Sequence, residues 1–382
     1  MAKLLEWIPQ YPNRRICMLM ITHACNLNCR YCYEKYKSNS FMTLQMAKAC
    51  INKELENLRK EGSNFREIAI EFMGGEPFLN FGLIRNVVEW MESLHLPFEW
   101  LSSSSTNGTL FSDERRQWMK LHREHFIPCL SFDGTTEMQE ANRGEANLIR
   151  EIPFLTENWP MQEIHMTVSK QTLSMLRDGV LLLQGFGART SVALAQGEAW
   201  EYADAVTLLD QIRSLGKYYL DHPMEKPTTF LCRPLYEVGE DGDEQTKFCG
   251  AGTNMVAYDI DGATYPCHMF TPLVCGDASA KYKNGISSCC GYTDPFCKQC
   301  DVRHWCTTCC GFNNNQRGGV AMRDHRWCDM MFAEAIGLCE FQLSYYDQHS
   351  KEITEEDALA VNAAVKAYEV LKCSQMAQRL LK

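Results

Sequence analysis

The chain has 382 residues, of which 45% are hydrophobic and 23% are charged, and its formal net charge is −10. This composition is that of an ordinary globular protein with room for two or three domains. Because no basic cluster accompanies the acidic balance, nucleic acid is excluded as an expected partner. No apolar run is long enough to span a membrane and the N-terminus lacks the features of a signal peptide, so we expect a cytoplasmic protein with no membrane partner.

From residue 14 onward, short apolar runs alternate with amphipathic stretches, which predicts parallel strands joined by helices. The six predicted strands are RICMLMIT, EIAIEFM, FEWLSSSS, FIPCLSF, EIHMTVS and TSVALAQ. The predicted helices are TLQMAKACINKELENLRK with Thr43 as its N-cap, FGLIRNVVEWMESLHL, SDERRQWMKLHREHF, SMLRDGVLLLQGF and YADAVTLLDQIRSLGKYYL. Six such units predict an α/β fold, a partial (β/α)6 TIM-like barrel with a lateral opening, whose chemistry lies at the C-terminal strand ends.

Three cysteines directly after the first predicted strand, Cys25, Cys29 and Cys32, have the spacing C-x3-C-x2-C. An iron–sulfur cube usually takes four thiolates, so three leave one iron for a ligand from outside the protein. A zinc knuckle or three reduced thiols is the alternative. The loop resembles that of the radical SAM family, in which S-adenosylmethionine (SAM) binds the open iron. The resemblance implies reductive cleavage of SAM to a 5′-deoxyadenosyl radical and a low-potential electron donor such as flavodoxin or ferredoxin.

Motifs after the next predicted strands resemble the SAM-binding elements of the same family. A GGEP turn would meet the SAM amino group, a TNG turn would line the pocket, an SxDG serine would reach the SAM ribose or carboxylate, and an arginine would clamp the carboxylate. The resemblance implies this set of cofactor-binding residues: Tyr31, Gly74, Gly75, Glu76, Pro77, Thr106, Asn107, Ser131, Asp133 and Arg143. Ordinary turns, a surface arginine and a packing tyrosine are the alternatives.

Eleven of the twenty cysteines lie between residues 249 and 328, and in a cytoplasmic protein they indicate metal rather than disulfides. Their spacing resembles the SPASM pattern, which implies two auxiliary 4Fe–4S clusters and, with the first site, three in all. The outer cluster would be held by Cys297, Cys300, Cys306 and Cys328, and the inner one by Cys249, Cys267 and Cys310. Two zinc ribbons are the alternative, but the gaps of five and three residues do not fit repeated CxxC knuckles.

The inner set is one ligand short. Sulfatase-maturing members of the family have a further cysteine at the position of Met255. The inner site therefore either recruits another thiol, with Cys275 as the first choice and Cys289 or Cys290 next, or keeps one iron open to substrate. The cysteines left over, Cys309 among them, are expected to be small buried hydrophobes.

Proline, glycine and charged residues concentrate at 222–247, which predicts the main domain boundary there. We divide the chain into a barrel over 1–235, a SPASM domain over 236–340 and a C-terminal helical tail over 341–382. The segments FAEAIGLCEFQLSYY and TEEDALAVNAAVKAYEVLKCSQMAQRLL are predicted to be helical, the latter opened by a T-x-x-D capping pattern.

The two sets of motifs cover nearly the whole chain and imply a radical SAM/SPASM enzyme. Such an enzyme would abstract hydrogen from a ribosomally made precursor peptide or protein and install a thioether or carbon–carbon crosslink. An anaerobic sulfatase-maturing enzyme is the first alternative. Its relatives use an aspartate as base where this chain has His268, whose neutral imidazole could accept a proton or be structural. A non-catalytic iron–sulfur or zinc scaffold is the second alternative, but it leaves the GGEP turn unexplained.

Overall fold

The computed structural model describes residues 4, 13–60, 63–240, 249–283, 285 and 294–382. All six predicted strands are present: β1 (Arg14–Thr22), β2 (Glu67–Gly74), β3 (Glu99–Thr106), β4 (Phe126–Leu130), β5 (Glu163–Val168) and β6 (Arg189–Leu194). Strands β1 to β4 pair in parallel in chain order, β5 pairs in parallel with β6, and a parallel bridge between Ser131 and His165 joins the two groups. The predicted partial (β/α)6 barrel is confirmed.

Seven helices accompany these strands: α1 (Leu44–Arg59), α2 (Phe81–Ser93), α3 (Asp113–Leu121), α4 (Thr136–Arg143), α5 (Ile152–Asn158), α6 (Leu176–Gly185) and α7 (Tyr202–Asp221). Helix α1 begins where the sequence predicts, because the hydroxyl of Thr43 accepts a hydrogen bond from the backbone N–H of Met46 at 3.2 Å. Helices α4 and α5 were not predicted. They lie between β4 and β5 and have only 8 and 7 residues, too few for an apolar pattern to mark them.

The cysteine-rich region is joined to the barrel through a strand that the sequence did not predict. Strand β7 (Met255–Tyr258) pairs in parallel with β1, and β8 (Thr264–Tyr265) pairs antiparallel with β7. The sheet order is therefore β4-β3-β2-β1-β7-β8. Strand β1 thus has neighbours on both edges, and its side chains from Cys17 to Thr22 are buried, as expected for the interior of a parallel sheet.

The remaining helices are α8 (Pro272–Cys275), α9 (Cys310–Arg317), α10 (Cys328–Gln348), α11 (Glu355–Cys373) and α12 (Gln375–Leu380). The predicted capping box of α11 is present, with Thr354 and Asp357 each bonding to the other's backbone N–H. The last predicted helix is interrupted at Ser374, which separates α11 from α12. Helix α10 packs against α7 of the barrel. Within the described ranges, no helix combines the length and apolarity that crossing a bilayer requires.

Candidate active site

A cavity of about 350 Å³ opens at the C-terminal ends of the barrel strands and gathers most of the motif residues. The predicted residues that line it are Cys25, Cys29, Tyr31, Cys32, Gly74, Gly75, Glu76, Thr106, Asn107, Ser131 and Arg143. Pro77 and Asp133 are buried and lie behind this lining. Residues up to 118 positions apart therefore meet at one place because parallel strands bring their C-terminal ends to the same edge.

The ammonium group of Lys37 interacts with all three cysteines of the loop. The side chain of Lys37 lines the cavity, and its Nζ donates a hydrogen bond to the carbonyl of Leu27 at 3.2 Å. Burial lowers the pKa of Lys37, but Cys32, Cys25, Glu34 and Cys29 together raise it above its ordinary value. Burial also raises the pKa of Cys25 and Cys29 as free thiols. A cation facing three sulfurs favours their thiolate form, which is the form that binds metal.

The glycines of the GGEP turn allow the turn to lie directly on the cysteine loop. The N–H of Gly75 donates to the carbonyl of Thr22 at 3.1 Å, and that of Glu76 donates to the carbonyl of Ala24 at 2.8 Å. A Cβ on Gly75 would lie only 2.4 Å from the Ala24 carbonyl oxygen and 2.9 Å from the Cβ of Cys25. The loop is thus fixed by the backbone of β2, with three thiols around one cavity. This arrangement fits an iron–sulfur cluster held at three corners.

The Glu76 carboxylate connects the turn after β2 to the turn after β3. It is 1% exposed and accepts hydrogen bonds from the N–H of Phe78 at 2.9 Å, the hydroxyl of Thr106 at 2.8 Å and the N–H of Asn107 at 2.8 Å. Burial raises its pKa, while these donors oppose the shift. Three donors do not exhaust the acceptor capacity of two carboxylate oxygens. A ligand ammonium in the cavity can therefore still be accepted.

Arg143 belongs to a buried network and is not a surface arginine. Its Nε and Nη2 donate to the two carboxylate oxygens of Asp133 at 3.0 and 3.1 Å, and its guanidinium lies 5.5 Å from the ring centre of Tyr31. Asp133 also accepts from the Tyr31 hydroxyl and from the N–H of Thr167 at 2.9 Å. Because Asp133 occupies Nε and Nη2, the third nitrogen of Arg143, Nη1, is left to meet an anion in the cavity.

A second hollow, of about 560 Å³, adjoins the first and shares Tyr31, Cys32 and Tyr33 with it. We call it the interdomain cleft. One wall is formed by the residues just after β6, including Gln196. The other wall is formed by α8 and α9 and carries several amide side chains. Those amides are Asn314, Asn315 and Gln316. Sequence reasoning missed this cleft, because a run of polar residues on one helix gives no signal of the wall that it faces.

Tyr33 and His268 lie together near the interdomain cleft, with ring centres 5.7 Å apart. The Nδ1 of His268 is buried without a hydrogen-bond partner among the described groups. Burial lowers the pKa of His268 to about 4, so the imidazole is neutral at physiological pH. His268 therefore lies beside Tyr33, which lines both cavities, and its proposed role as a proton acceptor stays a prediction.

The four predicted outer ligands surround one small cavity of about 50 Å³. They are Cys297, Cys300, Cys306 and Cys328. Burial raises the pKa of the Cys297 and Cys306 thiols to about 11, and Arg323 opposes that shift in both. The strongest charge partners of Cys328 are the other three cysteines of the set. Four mutually facing thiols with a nearby guanidinium fit a cluster closed by four cysteines.

Asp294 fixes the loop that carries Cys297. Its carboxylate accepts from the N–H of Phe296 at 2.9 Å and of Arg323 at 3.0 Å, and it pairs with the His325 imidazole at 3.0 Å. The ligand atoms of Asp294, Cys297 and His325 lie within 4.8 Å of one another. This support could not be predicted from the sequence, because residues 294 and 325 come from different segments.

The predicted inner ligands also meet, and they do so with a cysteine that was not predicted. The strongest charge partners of the Cys267 thiol are Cys309, Cys310 and Cys249. The favoured fourth ligand, Cys275, points elsewhere. Its thiol contacts the carbonyl of Met269 and the side chain of Asn315. The other two candidates, Cys289 and Cys290, lie outside the described residues.

A buried His–Asp pair connects the two cysteine regions. The Nε2 of His23, two residues before Cys25, lies 2.6 Å from the Oδ1 of Asp259, which directly follows β7. Both side chains are less than a tenth exposed. Their separation of 236 positions in the chain explains why no sequence pattern could have predicted the contact.

Comparison with known proteins finds a family model that matches part of the barrel, and relatives and a solved structure that match more of the chain. Residues 14–146 match a family model described as a 4Fe-4S single cluster domain. An uncharacterized protein of Methanocaldococcus jannaschii is 36% identical over 229 residues, 56% of this chain and 77% of that protein. Radical SAM cyclopropyl synthase TigE of Paramaledivibacter caminithermalis is 22% identical over 351 residues, 82% of this chain and 71% of that protein. A solved structure of anSMEcpe with bound AdoMet has a similar fold, with a TM-score of 0.65 at 15% identity over 92% of this chain and 99% of that chain.

Proposed function

Because the chain belongs to the radical SAM enzymes with a C-terminal SPASM domain, we propose that it modifies a ribosomally made peptide or protein by closing a thioether or carbon–carbon crosslink. One observation carries the proposal. The interdomain cleft adjoins the cysteine cavity and shares the wall formed by Tyr31, Cys32 and Tyr33 with it. A substrate in the cleft would thus meet a reactive species generated in the cavity.

The residues around the cavity support SAM binding. When held by Cys25, Cys29 and Cys32, an iron–sulfur cluster supplies the electron that cleaves SAM to methionine and a 5′-deoxyadenosyl radical. Glu76 has acceptor capacity left for the SAM ammonium, and Arg143 has Nη1 left for its carboxylate. Both groups are held by buried partners, so they keep their positions before the ligand arrives.

The lining of the interdomain cleft supports a peptide as substrate. The amides of Gln196, Asn314 and Asn315 can donate to peptide carbonyls and accept from peptide N–H groups. The hydrogen atom taken from a substrate carbon ends in 5′-deoxyadenosine. Closing the new bond then removes a second hydrogen from the substrate, with the proton released to solvent and the electron accepted by one of the proposed auxiliary clusters. The crosslinked product is therefore two hydrogens lighter than the precursor.

Formation of 5′-deoxyadenosine tests the first half of the proposal. We expect the anaerobically reconstituted protein to cleave SAM with dithionite, which stands in for the proposed flavodoxin or ferredoxin donor. The Cys25→Ala variant should form none, whereas Cys129→Ala, a thiol on β4 outside every cysteine site, should retain cleavage. Continued cleavage by Cys25→Ala would refute the assignment. Absence of cleavage by the parent would favour the non-catalytic scaffold.

Mass analysis of a co-expressed precursor tests the second half. A crosslink lowers the mass by two hydrogens and blocks fragmentation between the joined residues. Formylglycine, the product of the sulfatase-maturing alternative, changes the mass of one residue without making a ring. The precursor for this experiment is to be sought in a small reading frame beside the gene, especially one with repeated cysteines.

The number of clusters is a separate part of the proposal. We propose three, one at the barrel cysteines and one at each of the outer and inner sites. Replacing Cys25, Cys29 and Cys32 together by alanine should remove about a third of the bound iron, because each cube holds four irons. Loss of nearly all the iron, or of none, would contradict a three-cluster protein.

A further inference from the structure

The inner site needs a fourth ligand that the SPASM spacing does not supply. At the position where sulfatase-maturing relatives have a cysteine, Met255 begins β7, and its N–H donates to the carbonyl of Gly250 at 3.0 Å. Its backbone pairs with Ile16 of β1. Met255 is therefore a strand residue that offers no thiolate. Among the described cysteines of this region, Cys275 and Cys309 are the two that neither cysteine set includes.

The surroundings of Cys275 disfavour ligation. Its Sγ lies 3.2 Å from the carbonyl oxygen of Met269 and 3.0 Å from the Oδ1 of Asn315. Both are acceptors, so the sulfur is placed as a thiol that donates its hydrogen. A metal-bound thiolate has no hydrogen to donate and would face two oxygen atoms with lone pairs. No other cysteine is among the charge partners of Cys275.

The sulfur of Cys309, in contrast, faces a hydrogen-bond donor. Its Sγ accepts a hydrogen bond from the N–H of Phe312 at 3.4 Å, so it caps the N-terminus of α9. Backbone N–H groups and the positive end of a helix stabilise a thiolate. Amide hydrogen bonds to sulfur are also among the means by which proteins tune iron–sulfur clusters. Helix α9 itself begins at Cys310, a predicted inner ligand.

Cys309 lies between the two sets and packs with the inner one. Cys309 packs against the buried cluster that includes Cys267 and Cys310, and Cys309 and Cys249 are both charge partners of Cys267. Cys309 borders the small outer cavity, but the four outer thiols already complete one set. Cys309 is therefore the described thiol that has both the right neighbours and a donor at its sulfur.

We propose that Cys309 is the fourth protein ligand of the inner cluster, which closes this site against a substrate thiolate. The proposal rests on the proposed function, since it presupposes a cluster at Cys249, Cys267 and Cys310. A cluster with four cysteines has no vacant iron for substrate. The inner cluster would then serve electron transfer, and the interdomain cleft would bind the substrate through the protein alone.

The test uses the full chain with Cys25, Cys29 and Cys32 replaced by alanine, so that the site with an open iron is absent. In this parent we measure iron content, Mössbauer spectra and electron paramagnetic resonance after mild oxidation. We expect the parent to give no three-iron signal and no spectral change on adding 2-mercaptoethanol. Adding Cys309→Ser should produce a three-iron signal and the loss of one iron per protein, while the serine hydroxyl preserves the cap of α9.

Cys275→Ser in the same parent is the matched control and should leave the spectra unchanged. The proposal is overturned if Cys309→Ser leaves them unchanged, or if Cys275→Ser gives the three-iron signal. It is also overturned if the parent already responds to 2-mercaptoethanol, since that response indicates an open iron. Failure of the proposed function gives a different result, because a parent without iron, or a native chain that does not cleave SAM, would contradict the assignment itself.

Discussion

At the scale of single residues, Gly75 is a position of the candidate site that leaves no room for a side chain. An added Cβ would lie 2.4 Å from the Ala24 carbonyl oxygen and press on the Cβ of Cys25. Because the contact is with backbone, the cysteine loop must move to relieve it. We expect Gly75→Ala to abolish SAM cleavage and to weaken SAM binding at least tenfold, a change of about 1.4 kcal/mol.

The matched control for Gly75→Ala is Gly82→Ala. Gly82 lies in α2, just beyond the same turn, and a Cβ there would have nothing within 4 Å. Alanine should stabilise the helix by about 1 kcal/mol and leave SAM binding unchanged. Equilibrium dialysis with labelled SAM measures both variants. Equal affinities for the two would show that the turn does not position the cysteine loop.

Glu71 predicts a pH dependence of stability. It lies on the same face of β2 as Glu67 and Met73, and burial raises its pKa to about 7 from 4.5, an effect that Arg14 opposes. The folded state thus holds the proton more tightly than the unfolded state does. The contribution of Glu71 to the free energy of unfolding is therefore highest below about pH 4.5 and declines as the pH rises toward 7.

Glu71→Gln removes that titration. The variant should therefore be more stable than the native chain at about pH 8, by up to roughly 3 kcal/mol, and nearly equal to it at about pH 5. Denaturant unfolding at the two pH values measures the difference. Glu99→Gln, at an exposed position that begins β3, serves as the control. A gain for Glu71→Gln that is the same at both pH values would contradict the burial of this carboxyl group.

At the scale of elements, the contact between α7 and α10 depends on a glycine. A Cβ on Gly337 of α10 would lie 2.5 Å from the Cγ2 of Ile212 and 3.4 Å from the Cδ1 of Leu209 on α7. We expect Gly337→Ala to lower the free energy of unfolding by about 1–3 kcal/mol, because overpacking outweighs the higher helix propensity of alanine.

Gly185→Ala, at the end of α6, is the corresponding control because a Cβ there meets nothing within 4 Å. Both variants are compared by denaturant unfolding, with iron content measured on the same samples. Helix α10 begins at Cys328, so separation of α10 from α7 should also reduce iron at the outer site. If Gly337→Ala proves as stable as Gly185→Ala, the two helices do not depend on this close approach.

The sequence predicted those elements whose signal is local. Strands β1 to β6 were found because short runs, most of them apolar or β-branched, alternate with helical patterns along most of the barrel, and α11 because Thr354 and Asp357 mark its start. Strands β7 and β8 were missed because four and two residues are too few to show alternation. Their place in the sheet is set by pairing with β1, which lies far away in the chain.

The candidate site divides in the same way. The cysteine triad and the GGEP turn could be recognised in the sequence, because each is a short local motif whose residue types and spacing are set by its chemistry. Lys37, Tyr33 and Cys309 could not be recognised, because their place in the site depends on the groups that surround them in space. Lys37 is an ordinary lysine until Cys25, Cys29 and Cys32 are placed around it.

At the scale of the whole molecule, the barrel and the cysteine-rich region are joined by strand pairing, by a buried polar pair and by helix packing. Strand β7 covers one edge of β1, Asp259 pairs with the buried His23, and α10 covers the apolar face of α7. That face carries Ile212, Leu215 and Tyr219, all nearly fully buried. Without residues 236–382, an edge of the central strand, a buried imidazole and an apolar helix face would all be exposed to water.

The boundary predicted after residue 235 therefore leads to a test of whether the two parts fold separately. We expect the fragment 1–235 to be insoluble or to bind a hydrophobic dye, because an unpaired strand edge and a large apolar face favour aggregation. Co-expression of 1–235 with 236–382 should restore a soluble complex that co-purifies, since the break leaves every contact in place. A soluble, monomeric 1–235 with a cooperative unfolding transition would contradict this dependence. In that case the pairing of β7 with β1 would be a contact between two separately stable domains.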